Sequence, residues 1–166
     1  MFKLIRALAL VPSLALVLLV PANAAAANPM TVSAGNSSLA ARVALTVPVT
    51  VSCPPFDPIL TTQGLSLVQE YIAVNVEQAS GRQIARGSSS LYSFTPGPWS
   101  FACDGGSTTI NVMVLADPAG PPFHGGQASI STGASATMGF ATPFGGYYCP
   151  CASQSASAIN IVQVSR

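Results

Sequence analysis

The stretch VALTVPVTVSC, residues 43–53, decides the fold class. Val43, Leu45, Val47, Val49, Val51 and Cys53 alternate with Ala44, Thr46, Pro48, Thr50 and Ser52. A period of two puts every second side chain on one face of an extended chain. The pattern predicts a strand with one face buried. Pro48 has no amide hydrogen to give a ladder, so it marks an edge or a bulge and a point where a break in the strand is expected. CPPFDP, residues 53–58, closes the run with turn residues.

The same period recurs downstream. Over residues 65–78, Val68, Ile72, Val74 and Val76 share one face, and Tyr71, Ala73, Asn75 and Glu77 share the other. A short strand is expected around Ile84. Tyr92, Phe94, Trp99, Phe101 and Cys103 form the next segment, broken by TPGP, with Trp99 as a core anchor. CDGGST reads as a turn, and residues 109–116 as a strand burying Ile110, Val112 and Val114. DPAGPPFHGG is a long connection. Residues 127–138 read as a strand of small residues, 145–151 as a glycine- and aromatic-rich segment, and 158–164 as a terminal strand. Roughly seven short segments between Gly and Pro turns define an all-β protein. The expected architecture is an immunoglobulin-like antiparallel sandwich, with a small closed β-barrel as the alternative.

The first residues carry a different message. Lys3 and Arg6 precede an apolar run from Ala7 to Val20, broken only by Pro12 and Ser13, and Ala22-Asn23-Ala24 follows. This is the layout of a helical secretory signal peptide over residues 1–24, cleaved between Ala24 and Ala25. The run is short of the roughly 18–20 residues a spanning helix needs. Residues 25–38 lack periodicity and read as a flexible leader, leaving a single domain over 39–166. The expected location is outside the cell.

Cleavage leaves 166 − 24 = 142 residues, and Lys3 and Arg6 leave with the leader. Arg42, Arg82, Arg86 and Arg166 then face Asp57, Glu70, Glu77, Asp104 and Asp117, a side-chain balance of 4 − 5 = −1. Nucleic-acid binding needs a dense set of cations to displace counterions, and scattered arginines do not supply it. An electrostatic hold on an anionic membrane fails for the same reason.

Four segments, VSCPPFDP, VNVEQASGRQIARGS, CDGGSTTINVMVLAD and GPPFHGGQASI, together resemble a group of small secreted bacterial proteins of actinobacterial type. The shared features are a pair of half-core cysteines, a Gln-Ala near a Gly-Arg, a Cys-Asp-Gly turn and a Pro-Phe before glycine. The resemblance covers about residues 39–164. It implies an immunoglobulin-like sandwich outside the cell and implies no activity, the group being of unknown function. Cys149-Pro150-Cys151 lies outside the shared pattern.

In an oxidising compartment an even number of cysteines favours disulfides. Cys53, Cys103, Cys149 and Cys151 allow three pairings. Cys53 and Cys103 each end a strand pattern, and a bond between them closes a loop of 103 − 53 = 50 residues. That pairing leaves Cys149 with Cys151, two residues apart on one face, near the upper limit of reach for a bridge unless Pro150 turns the chain. Crossed pairings stay open. A redox enzyme would need a C-x-x-C pair beside a helix N-terminus, and neither is present. Zinc would need about four ligands; His124 is the only histidine, and in GPPFHGG it reads as a solvated loop residue. No metal or other cofactor is expected.

Catalytic patterns are missing. There is no G-x-S-x-G elbow, and His124 with Asp117 marks no nucleophile. Glu70 and Glu77 are seven apart and so point to opposite faces of a regular strand, which does not suit a glycosidase pair. Asp57, Asp104 and Asp117 sit beside Pro or Gly, where Asp serves turn geometry. Asn36-Ser37-Ser38 fits a glycosylation acceptor. The expected function is non-enzymatic: an extracellular or envelope-associated module binding a protein or glycan. The alternatives are a carrier for a small apolar ligand and a protease inhibitor presenting GGYYCPCASQS.

Overall fold

The computed structural model describes residues 29–94, 99–141 and 147–166, with residues 141 and 147–151 described by backbone alone. The leader through Ala24 and Ala25 lies outside the described residues. So do the side chains of Tyr147, Tyr148, Cys149 and Cys151, and with them any bond between the two cysteines.

The described chain is all-β. Its strands are β1 (Thr31–Ala34), β2 (Ser37–Ala41), β3 (Ala44–Ser52), β4 (Ser66–Ser80), β5 (Gln83–Phe94), β6 (Ser107–Ala116), β7 (Gly126–Ala141) and β8 (Tyr147–Ser165), with one helical turn, α1 (Pro58–Thr62). The strands follow the order β1-β3-β2-β8-β7-β4-β5-β6, and β6 returns to pair with β3. That last pairing closes β2, β8, β7, β4, β5, β6 and β3 into a seven-strand barrel. The chain therefore takes the barrel alternative, and the expected immunoglobulin-like sandwich gives way to it.

The reason the two were hard to tell apart is visible in the seams. β3 and β6 pair from Ala44↔Leu115 to Ser52↔Ser107, and β4, β5, β7 and β8 pair along most of their lengths. Only two residue pairs join β5 to β6 (Gly87↔Ala116, Ser88↔Leu115), and only two join β2 to β8 in parallel (Ser37↔Val164, Ser38↔Ser165). Two extended sheets thus meet at two narrow corners, and alternation within a strand says nothing about its edges.

Three local corrections follow. Residues 31–38, expected as leader, belong to β1 and β2, and Met30, Val32 and Ala34 alternate into the core. β3 does not break at Pro48. Instead the neighbouring strand breaks, between β1 and β2, and Gly35 donates its N–H to the Pro48 carbonyl at 2.9 Å. A Cβ on Gly35 would sit 3.2 Å from Pro48 Cγ, a tight contact that would push the proline ring by a few tenths of an ångström. Of the two segments expected at 145–151 and 158–164, residues 147–151 and 158–164 lie on one strand, β8, and residues 145–146 lie outside the described residues.

The core lies inside the ring. Leu45, Val47, Val49 and Val51 of β3 meet Ile72, Val74 and Val76 of β4, Val112 and Val114 of β6, and Ile130 of β7. Phe101 and Phe123, from the β5–β6 and β6–β7 connections, are fully buried among them. Trp99, expected as the anchor, is only half-buried and packs against this cluster; Phe101 takes the anchoring place. At about 25 cal/mol per Å² of apolar area, each such side chain contributes roughly 1.5–3 kcal/mol.

Cys53 and Cys103 form the expected disulfide, with Cα atoms 4.5 Å apart. It ties the end of β3 to the segment entering β6. Beside it Gly105 donates its N–H to the Cys53 carbonyl at 3.0 Å.

Candidate functional site

Two regions carry chemistry. The first is the outer face of β5-β4-β7-β8. Outward positions of β4 are odd-numbered and those of β5 even-numbered, because Ile72, Val74 and Val76 occupy the core. Register then builds rows across the sheet. Tyr92, Tyr71, Ser135 and Ser155 form one row; Ser90, Ala73, Gly133 and Ser157 form the next; Ser88, Asn75, Ser131 and Ile159 form a third. Strands lie about 4.8 Å apart, so each row is roughly 14 Å long. Phe94, opposite Gln69, extends the aromatic corner. Tyr71 and Tyr92 stack edge to face at 6.2 Å between centroids, and Tyr92 and Phe94 do so at 4.5 Å. Tyr92 and Phe94 remain 48% and 49% exposed. These rows contain no ionisable charge at neutral pH. The next row holds Arg86 and Glu77, which neutralise each other at 3.0 Å.

The second region is one end of the barrel. Arg42 sits in the β2–β3 turn, Arg82 in the β4–β5 turn, Arg86 near the start of β5 and Arg166 at the end of β8, so every cation after residue 28 lies at that end. Asp57 and Asp104 lie at the opposite end with the disulfide, while Glu77 and Asp117 share the arginine end. A hollow of about 440 Å³ there is lined by Leu39, Arg42, Ser80, Phe123, His124 and Arg166.

The floor of that hollow is fixed by buried polar groups. Gln78, 1% exposed, donates from Nε2 to the His124 carbonyl at 2.7 Å and accepts from the His124 N–H at 2.9 Å. The His124 ring is not a free loop side chain: Nδ1 lies 2.8 Å from the Gly125 carbonyl and Nε2 lies 2.9 Å from the Ala79 carbonyl. Both neighbours are carbonyls, which only accept, so a neutral ring donates its single N–H to one of the two. The sequence offered a cue to Gln78, which falls in phase with Val74 and Val76. Glu70 falls likewise between Val68 and Ile72; it is 3% exposed and accepts the Phe101 N–H at 2.8 Å.

The other candidate residues take structural posts. Asp57 Oδ1 accepts from the Ile59 N–H at 2.9 Å and caps α1; Asp104 and Asp117 accept from the N–H of Gly106 and Ala119 at 2.8 and 2.9 Å. All three serve turns, as their neighbours suggest. Glu70 points inward and Glu77 outward, so they do not face each other. Asn36, the acceptor of the glycosylation triplet, uses Oδ1 to accept the Gln163 N–H at 3.1 Å across the β2–β8 corner. Asn160 does the same for Ala34 at 2.9 Å. Side-chain amides thereby replace ladder bonds at that seam. Among the described residues no three His, Cys, Asp or Glu side chains gather as a metal site. Among the described residues, too, no helix is long and apolar enough to cross a membrane.

Comparison with protein-family models, curated proteins and solved structures finds no match.

Proposed function

We propose that the chain is an exported, non-catalytic module that binds a neutral glycan on the outer face of β5-β4-β7-β8. The observation that carries this is the aromatic corner of Tyr71, Tyr92 and Phe94 set against uncharged rows of Ser, Gly, Ala and Asn that end at the exposed Ile159. A pyranose ring has C–H faces and a rim of hydroxyls. Aromatic faces cover the former, and Ser hydroxyls, which donate and accept, serve the latter. A face without charge suits a partner without charge. Edge-to-face stacking gives the corner relief instead of a flat shelf, which favours a single soluble chain over a crystalline surface.

Further support comes from the disulfide, which is compatible with an oxidising compartment. The resemblance to small secreted bacterial proteins agrees with an extracellular role. Electrophoresis through gels containing soluble neutral polysaccharides tests the proposal. At least one glucan or mannan should retard the protein, and Tyr92→Ser with Phe94→Ser should abolish the retardation. Equal mobility of wild type and variant in every such gel rejects it.

One observation favours a second reading, a small apolar ligand. A hollow of about 540 Å³ beside the disulfide is lined mainly by Pro55, Phe56, Pro58, Leu67 and Met138. Co-purifying apolar material displaced by Met138→Trp would support it; clean protein at native yield would not.

A further inference from the structure

The arginine end carries an inference independent of the glycan face. Arg42 and Arg166 line one hollow, and among the described residues neither makes an ion pair. No acidic side chain lines it. The Arg166 arm runs beside the 124–125 loop: a Cβ built on Gly125 would lie in ordinary van der Waals contact with it, 3.4 Å from Cγ and 3.5 Å from Nε. That loop is held from below by the buried Gln78 amide and from the side by His124. Two guanidinium groups without an ion pair thus face one hollow over a pinned backbone, with Ser80 also in its lining.

We propose that this hollow binds a phosphoryl anion. A carboxylate is planar and satisfied by one guanidinium fork, whereas a phosphoryl group spreads its acceptors in three dimensions and can take forks from two sides plus a hydroxyl. Arg42 and Arg166 supply the forks, and Ser80 supplies the hydroxyl. Phe123 and Leu39 form the apolar wall of the hollow.

The test is amide-resolved NMR on the protein with its disulfide intact, titrated with inorganic phosphate at physiological ionic strength. Saturable shifts should concentrate at Arg42, Ser80, Gly125 and Arg166. Arg42→Gln and Arg166→Gln, both at exposed positions, should each weaken binding by about tenfold or more. Arg86→Gln, already paired with Glu77, should leave it unchanged. A parallel titration with dimethyl phosphate separates the sources: binding of both ligands at the same residues assigns a diester-tolerant site, and binding of inorganic phosphate alone assigns a free phosphate or monoester. No saturable shift with either ligand overturns the proposal. So does an equal loss in all three variants, or undiminished affinity in Arg42→Gln and Arg166→Gln.

Discussion

Replacing Gly87 with alanine should open the ring at one of its corners. Only Gly87 and Ser88 pair β5 with β6, and beside them the Asp117 N–H donates to the Arg86 carbonyl at 2.7 Å. A Cβ on Gly87 would overlap the Leu115 carbonyl oxygen and come within 2.8 Å of Phe123 Cζ. The carbonyl is backbone and has nowhere to rotate. Phe123 is 2% exposed and packed in the core. The corner must therefore separate. Forcing extra volume into a packed site costs about 1–3 kcal/mol, and each ladder hydrogen bond lost costs about 1 kcal/mol. The sum is about 3–4 kcal/mol, or a fall in Tm on the order of 10 °C for a domain of this size. Gly133 provides the control. It also lies mid-strand, but a Cβ there would have as its nearest neighbour the Ala156 carbonyl oxygen at 3.9 Å. Gly133→Ala should be neutral or stabilising by about 0.5 kcal/mol. Urea unfolding with the disulfide intact, followed by Trp99 fluorescence, measures both. A Gly87→Ala protein as stable as Gly133→Ala would refute the reasoning, because the two sheets would then not depend on that contact.

Two further perturbations follow from the same structure. Replacing Cys53 and Cys103 together by alanine frees a loop of 50 residues and should cost about 4 kcal/mol on the chain-entropy model, read as a lower urea midpoint. Gln78→Leu leaves the His124 N–H and carbonyl without partners and should cost about 2–3 kcal/mol, with amide exchange accelerated at residues 123–125 before the rest of the barrel; uniform exchange across the domain would contradict a local role.

Much of this was legible in the chain. Alternation in 43–53 and 65–78 identifies β3 and β4 and the faces they bury, because a strand's period is a local property. The turn roles of Asp57, Asp104 and Asp117 were readable too, since an Asx turn needs only its neighbours. Ring closure was not. It rests on Gly87, whose need for bareness arises from Leu115 and Phe123, about 30 residues away in sequence. The leader reading failed at 31–34 because two buried residues, Val32 and Ala34, are too few to show a period. His124 looked like a loop residue because its anchor, Gln78, lies 46 positions upstream. The aromatic corner needed register: Tyr71 and Tyr92 meet only once β4 and β5 are paired.

The most direct test of the central claim is to map a neutral oligosaccharide onto the protein by NMR. The account predicts shifts of the Tyr71, Tyr92 and Phe94 ring protons together with the amides of Ser135 and Ser155, and none at the arginine end. Ring resonances that stay fixed while any neutral glycan binds elsewhere, or that ignore every neutral glycan offered, would contradict it.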